Sequence, residues 1–219
     1  MLPLRDHNPS GRTPWLTYLL IGFNSLIFII MLFLPAPQLD QFIFHWALIP
    51  RQITQGQALF TLISSMFLHA SLGHLIGNML FLNIFGDNLE DYLGRGKFIL
   101  FYLLTGIAGS VLQIALNPQS PIPLLGASGA IAGLMGGYLV LFPYHRIDLL
   151  VFWGFYAQEI SVPAFTMLFY WFLAQLLGGV GSLGVKGGGI AYGAHLGGFL
   201  SGVILIQLYR RLRALTSAH

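Results

Sequence analysis

Residues 52–86 contain no Asp, Glu, Lys or Arg. A soluble domain carries about 25% charged residues, so an uncharged stretch of this length belongs to a different solvent. A spanning helix needs about 20 consecutive apolar residues. The stretch exceeds one helix, so part of it is expected to lie in the outer half of a bilayer, packed on protein that satisfies its backbone groups. The rest of the chain agrees. Hydrophobic residues make up 56% of the 219 and charged residues 8%. This excludes a soluble globular enzyme and a disordered chain. The net charge of +3, from ten Lys and Arg against seven acids, is too small for a phosphate-binding surface and excludes a nucleic-acid binder. The absence of cysteine excludes disulfides, thiol catalysis and thiolate metal sites. A polytopic membrane protein remains.

The apolar runs predict an all-α bundle of six transmembrane helices, over about 15–34, 72–88, 98–116, 127–142, 162–178 and 190–209. The first run is long for a signal-peptide core, and Pro35-Ala36-Pro37 is no cleavage pattern, so it reads as a retained span. Ser71 is placed to cap the second helix. Residues 1–14 form a cytoplasmic segment, 15–209 the membrane domain and 210–219 a basic cytoplasmic tail. Positive charge sets this orientation. With the N-terminus inside, Arg5, Arg12, Arg95, Lys97, Arg146, Arg210, Arg211 and Arg213 fall inside, and only Arg51 and Lys186 outside. Arg210 to Arg213 are expected to meet anionic lipid headgroups. The glycine-rich loop 178–189, above His195, is the expected gate, moving with the fifth span.

Polar side chains inside the apolar runs are costly unless paired or facing a cavity. His74 and Asn78 are spaced i,i+4 on one face of the second span. Ser128 begins the fourth span and His195 lies near the start of the sixth. All three helices enter from outside, so the four groups share a shallow depth. Asn24 and Gln175 read as inter-helix hydrogen-bonders, and Glu90 as a tie between inner segments. Small residues recur every fourth position at Gly129, Gly133 and Gly137, and again at Ala194, Gly198 and Gly202. Such ladders let helices approach closely in lipid. If they face each other, Ser128 and His195 come within hydrogen-bond reach. By spacing alone, packing without chemistry is an equally good reading. Gly126-Ala127-Ser128-Gly129 sets a serine at a loop-to-helix junction, where free backbone N–H groups can face a developing oxyanion.

These residues resemble the rhomboid family of intramembrane serine proteases over about 59–205. FLHASLGHLIGNMLFLNIFGDNLE resembles the family's second-helix region, GASGAIAG its serine motif and AHLGGFLSG its histidine helix. The resemblance implies Ser128 as nucleophile and His195 as general base, with His74, Asn78 and the Ser128 N–H as the oxyanion site. It makes His69 a structural histidine. It implies transmembrane protein substrates, cut near the outer end of their helix, and no metal or cofactor. The expected location is a bacterial inner membrane. All seven acids fall in predicted termini or loops, which favours a dyad over a triad. Two positions depart from the family. Ala132 stands where many relatives have a tyrosine under the histidine, and Tyr192 is the candidate replacement. The family's Trp-Arg pair in the first long loop survives only as His45-Trp46 and Arg51. The alternatives are an inactive helix-binding scaffold or chaperone, and a solute transporter. A transporter would show charged pore residues or symmetric broken helices, and neither is present.

Overall fold

The structure is a computed structural model that describes residues 2–154, 156–181 and 189–216. Its long helices are α1 (Trp15–Phe33), α5 (Leu72–Leu93), α6 (Arg95–Leu116), α7 (Ser128–Leu141), α8 (Ala164–Gly181) and α9 (Tyr192–Thr216). Shorter helices α2 (Ala36–Trp46), α3 (Pro50–Thr54) and α4 (Thr61–Ser64) fill the segment between α1 and α5. By length and composition α1, α6 and α8 can each cross a membrane. A fourth candidate is the pair Thr61–Phe67 and Leu72–Leu93, bent by 98° at the break between them. The uncharged stretch is too long for one helix, and from Thr61 onward it folds as two helical pieces joined at this bend.

α7 is the centre of the bundle, with every residue from Gly129 to Tyr138 buried. Its neighbour α9 lies against it through glycine backbone. A Cβ on Gly198 would collide with the Gly129 carbonyl, and one on Gly202 with the Gly133 carbonyl. From the other side, a Cβ on Gly136 would strike the Phe199 carbonyl. The two ladders therefore do face each other, with Gly136 rather than Gly137 completing the seam. The third wall is α6, where Gly109 lies under the Ala194 carbonyl and Gly197 opposes Ala108 and Gly109. Without side chains between them, backbones approach to the limit that packing allows, which replaces the hydrophobic drive missing in lipid.

α5 begins at Ser71, whose side chain accepts from the His74 N–H at 3.2 Å. Near its far end, buried Glu90 accepts from the Leu16 N–H, the Thr17 N–H and the Thr17 hydroxyl at 3.0, 2.8 and 2.9 Å. Glu90 thus supplies the start of α1 with the cap its own sequence lacks, and a carboxylate there also suits the helix dipole. Asn24 departs from expectation. Its Nδ2 donates to the Leu20 carbonyl in its own helix, at 2.7 Å, and among the described residues it ties no second helix.

The all-α expectation needs correction. β1 (Leu2–Asp6), β2 (Arg146–Trp153) and β3 (Tyr156–Pro163) form a three-stranded antiparallel sheet in that order. β2 and β3 are a hairpin turning at Gly154, and β1 pairs Leu2 with Leu150 and Asp6 with Ile147. Ile147, Leu149 and Val151 are buried on the bundle side. Buried Asp148 accepts from Arg5 Nε at 2.7 Å and lies 2.8 Å from His7 Nε2. Asp6 accepts from the Tyr138 hydroxyl at 2.7 Å and from Asn88 Nδ2 at 3.0 Å, which fastens β1 to α7 and α5. His7 and Asp148 thereby fasten the sheet.

The expected gate loop falls mostly on residues 182–188, Lys186 included, which lie outside the described residues; its first part, 178–181, is the end of α8.

Candidate active site

The segment before α7 positions the serine. Leu48 and Leu124 exchange backbone hydrogen bonds at 3.0 and 2.7 Å, and the Arg51 N–H donates to the Ser120 carbonyl at 3.2 Å. The Gly126 N–H then donates to the Ser65 carbonyl at 2.9 Å. The loop between α6 and α7 is thus pinned by the α2–α3 and α4 segments. Gly126 has φ +123°, a region that disfavours any side chain. A Cβ there would stand 2.7 Å from His74 Cε1, 2.8 Å from His74 Nε2 and 3.6 Å from Asn78 Nδ2. Backbone and both α5 side chains therefore meet at the residue two before Ser128.

Ser128 is the first residue of α7, and no side chain caps that helix start. Its N–H belongs to the first turn, whose donors lack helical partners. His195 lies in the first turn of α9. Its Nε2 is 2.8 Å from Ser128 Oγ. The glycine seam between α7 and α9 makes this contact possible, because the two side chains project from helices in backbone contact.

The far side of the imidazole is held by α8. His195 Nδ1 lies 2.7 Å from Gln175 Oε1. Trp171, one turn earlier on α8, lies with its ring centroid 5.9 Å from that of His195 at 33°, and 5.9 Å from that of Phe199. Trp171 occupies the packing role expected of Tyr192, which instead lies against Gly178. Ala132 is buried within α7. The sequence assigned Gln175 to an inter-helix hydrogen bond and named no partner. Its i,i+4 spacing from Trp171 was the available signal, and it needed the α8–α9 pairing to be read.

His74, Asn78, Ser128, Trp171 and His195 line one cavity of about 920 Å³. Asn78 Nδ2 is buried beside it with no hydrogen-bond partner among the described residues. An unmet buried donor costs about 1–3 kcal/mol, so its retention calls for a use. His69 is buried edge-on against the His74 ring, with centroids 5.1 Å apart. Among the described residues no group of His, Asp and Glu has a metal-holding arrangement. Chemically, an imidazole in contact with a hydroxyl can accept its proton, and unpaired N–H donors alongside can receive negative charge on oxygen.

A membrane-embedded helical bundle with this constellation defines an integral membrane protein of a recognisable class. The Rhomboid domain family model matches residues 56–212. The chain is 31% identical to Rhomboid protein 1, mitochondrial, of Saccharomyces cerevisiae, across 86% of this chain and 51% of that protein. It is 35% identical to RHOMBOID-like protein 6, mitochondrial, of Arabidopsis thaliana, across 71% of this chain and 45% of that one. It is 33% identical to the Putative rhomboid protease YdcA of Bacillus subtilis, across 68% of this chain and 69% of that one. The chain belongs to the rhomboid family. It spans about half the length of the first two of these relatives.

Proposed function

We propose that this protein is an intramembrane serine endopeptidase that cuts transmembrane protein substrates near the outer end of their spanning helix. The observation that carries the reading is the 2.8 Å contact between Ser128 Oγ and His195 Nε2 on the wall of a cavity. Relatives named as rhomboid proteases support it at the level of the family.

In this reading His195 Nε2 takes the Ser128 proton as Oγ attacks the scissile carbonyl. The oxyanion is received by His74, Asn78 and the Ser128 N–H. The protonated His195 then gives its proton to the leaving amine, and a water molecule repeats the sequence to release the acyl group. A helical substrate has its backbone bonds satisfied internally, so it must unwind before a carbonyl reaches Ser128. Substrates therefore carry Gly, Ala, Pro or polar residues near the cut.

The six-span arrangement belongs to the same proposal, with α5, α7 and α9 crossing beside α1, α6 and α8. The charge distribution supports a cytoplasmic side for residues 1–14 and 210–219, with Arg210 to Arg213 at anionic headgroups; the proposed location is a bacterial inner membrane. Reporter fusions at the two termini test the orientation, and either terminus outside would reverse it. The activity is tested with protein reconstituted in vesicles and a panel of single-span substrates, some interrupted by Gly or Pro and some unbroken poly-Leu. Interrupted spans should be cut and unbroken ones spared, and Ser128→Ala should cut neither. Cleavage by folded Ser128→Ala would refute the assignment.

A further inference from the structure

The third position of a serine–histidine system is filled here by an amide. In the Ser-His-Asp arrangement the third residue accepts a hydrogen bond from the histidine Nδ1–H, fixing tautomer and ring orientation. No acid of this chain lies in the cavity lining. Gln175 Oε1 lies 2.7 Å from His195 Nδ1, on the opposite side of the ring from Ser128. We propose that Gln175 is the positioning residue of the site. By accepting from Nδ1–H it leaves the Nε2 lone pair facing the Ser128 hydroxyl. This rests on the reading of Ser128 and His195 as nucleophile and base.

The chemistry follows from what an amide oxygen can do. It accepts one hydrogen bond without taking the proton. Nδ1–H remains bonded to Oε1 while Nε2 gains the serine proton, so the imidazolium that forms keeps an aligned acceptor behind it. The opposite tautomer would place a hydrogen on Nε2, donate it to Oγ and leave no base. The Trp171 ring, one turn away on the same face of α8, holds the imidazole plane while Gln175 sets its protonation. The other titratable groups in the cavity lining are His74, on α5, and Tyr192, on α9. The hydrogen-bond partner of Nδ1 is Gln175, so tautomer choice falls to it.

A side chain that only ties α8 to α9 would affect folding and leave the tautomer alone. The experiment uses the full chain in detergent, with 15N-labelled histidine, beside cleavage kinetics. Wild-type His195 should show the Nδ1–H tautomer. Gln175→Met keeps the length of the side chain and removes the acceptor. It should lower kcat by about 10–100-fold with KM and melting temperature little changed, since small misplacements at a reacting centre cost that order. It should also populate the Nε2–H tautomer. Gln175→Glu restores an acceptor and should return kcat to within about tenfold of wild type. An Nε2–H tautomer in the wild type overturns the proposal, and that spectrum decides the matter even where the Met variant fails to fold. Full activity in folded Gln175→Met, or equal loss in the Met and Glu variants, also overturns it. Ser128→Ala in the same panel separates the two levels. If it still cleaves, the nucleophile assignment has failed; if it does not, a failed Gln175 series counts against Gln175 alone.

Discussion

Gly198 of α9 faces the carbonyl of Gly129 on α7 so closely that no side chain fits between them; a Cβ would stand 2.9 Å from the Gly129 carbonyl carbon. One residue before that carbonyl is Ser128, and three residues before Gly198 is His195, so one seam sets both the helix separation and the contact between hydroxyl and imidazole. Gly198→Ala must push the helices apart. The expected loss is about 1–3 kcal/mol of stability, as for overpacking elsewhere. Cleavage should fall by about 10²-fold, because the proposed dyad of Ser128 and His195 separates. Thermal unfolding and cleavage measured together check this, and an unchanged rate would show that the pair does not depend on the seam.

Gly126 combines φ +123° with contact against His74. Gly126→Ala should displace the His74 ring from the proposed oxyanion site. Removing one such donor costs about 10²–10³ in rate, so kcat should drop towards that range while KM changes little. Steady-state kinetics on the variant decide it.

Glu90 accepts three hydrogen bonds at the start of α1, and its site is near the far end of α5 from His74. Glu90→Ala leaves buried donors at Leu16 and Thr17 unmet, at about 1–3 kcal/mol. Melting temperature should fall, and activity per folded molecule should stay at the wild-type value. A fall in specific activity without loss of stability would mean that Glu90 acts on the site.

The sheet should respond to acid. Arg5, and after it His7, hold the Asp148 carboxyl well below the usual carboxylate range. A carboxyl depressed in the folded state contributes stability that is present above its unfolded value, near about 4, and is lost as pH falls towards the folded value. Burial shifts Asp6 the other way, upward. A raised folded-state value means that protonation of Asp6 on acidification favours the folded state on balance. Pairing of β1 should hold from neutral pH down to about 4 and loosen below. Amide exchange of Leu4, Arg5 and Asp6 against pH measures this. Loosening that begins at neutral pH would contradict the assignment, and Asp148→Asn should loosen β1 at every pH.

The helices were legible because long apolar runs between charged turns have few other solutions. The pairing of α7 with α9 was legible because glycine at every fourth residue leaves a face that only another backbone can fill. Ser71 and Glu90 were read as a cap and a tie, and the structure gives each its partner. The sheet was not legible. Arg146 to Pro163 adjoins two apolar helices, and in so hydrophobic a chain its strand alternation was absorbed into the loop before α8. Gly154 between two aromatic-rich runs was the overlooked turn signal. Gln175 stood out as a single polar residue, and Trp171 did not stand out among the many aromatics. Their common target, His195, depends on how α8 leans on α9, and the α9 ladder declares only the pairing with α7.

Covalent capture with a fluorophosphonate, followed by mass mapping of the modified residue, tests the proposed activation of Ser128 by His195. Ser128 should be modified in the wild type, and this modification nearly lost in folded His195→Ala. Modification of a different residue, or of Ser128 at an equal rate without His195, would contradict it.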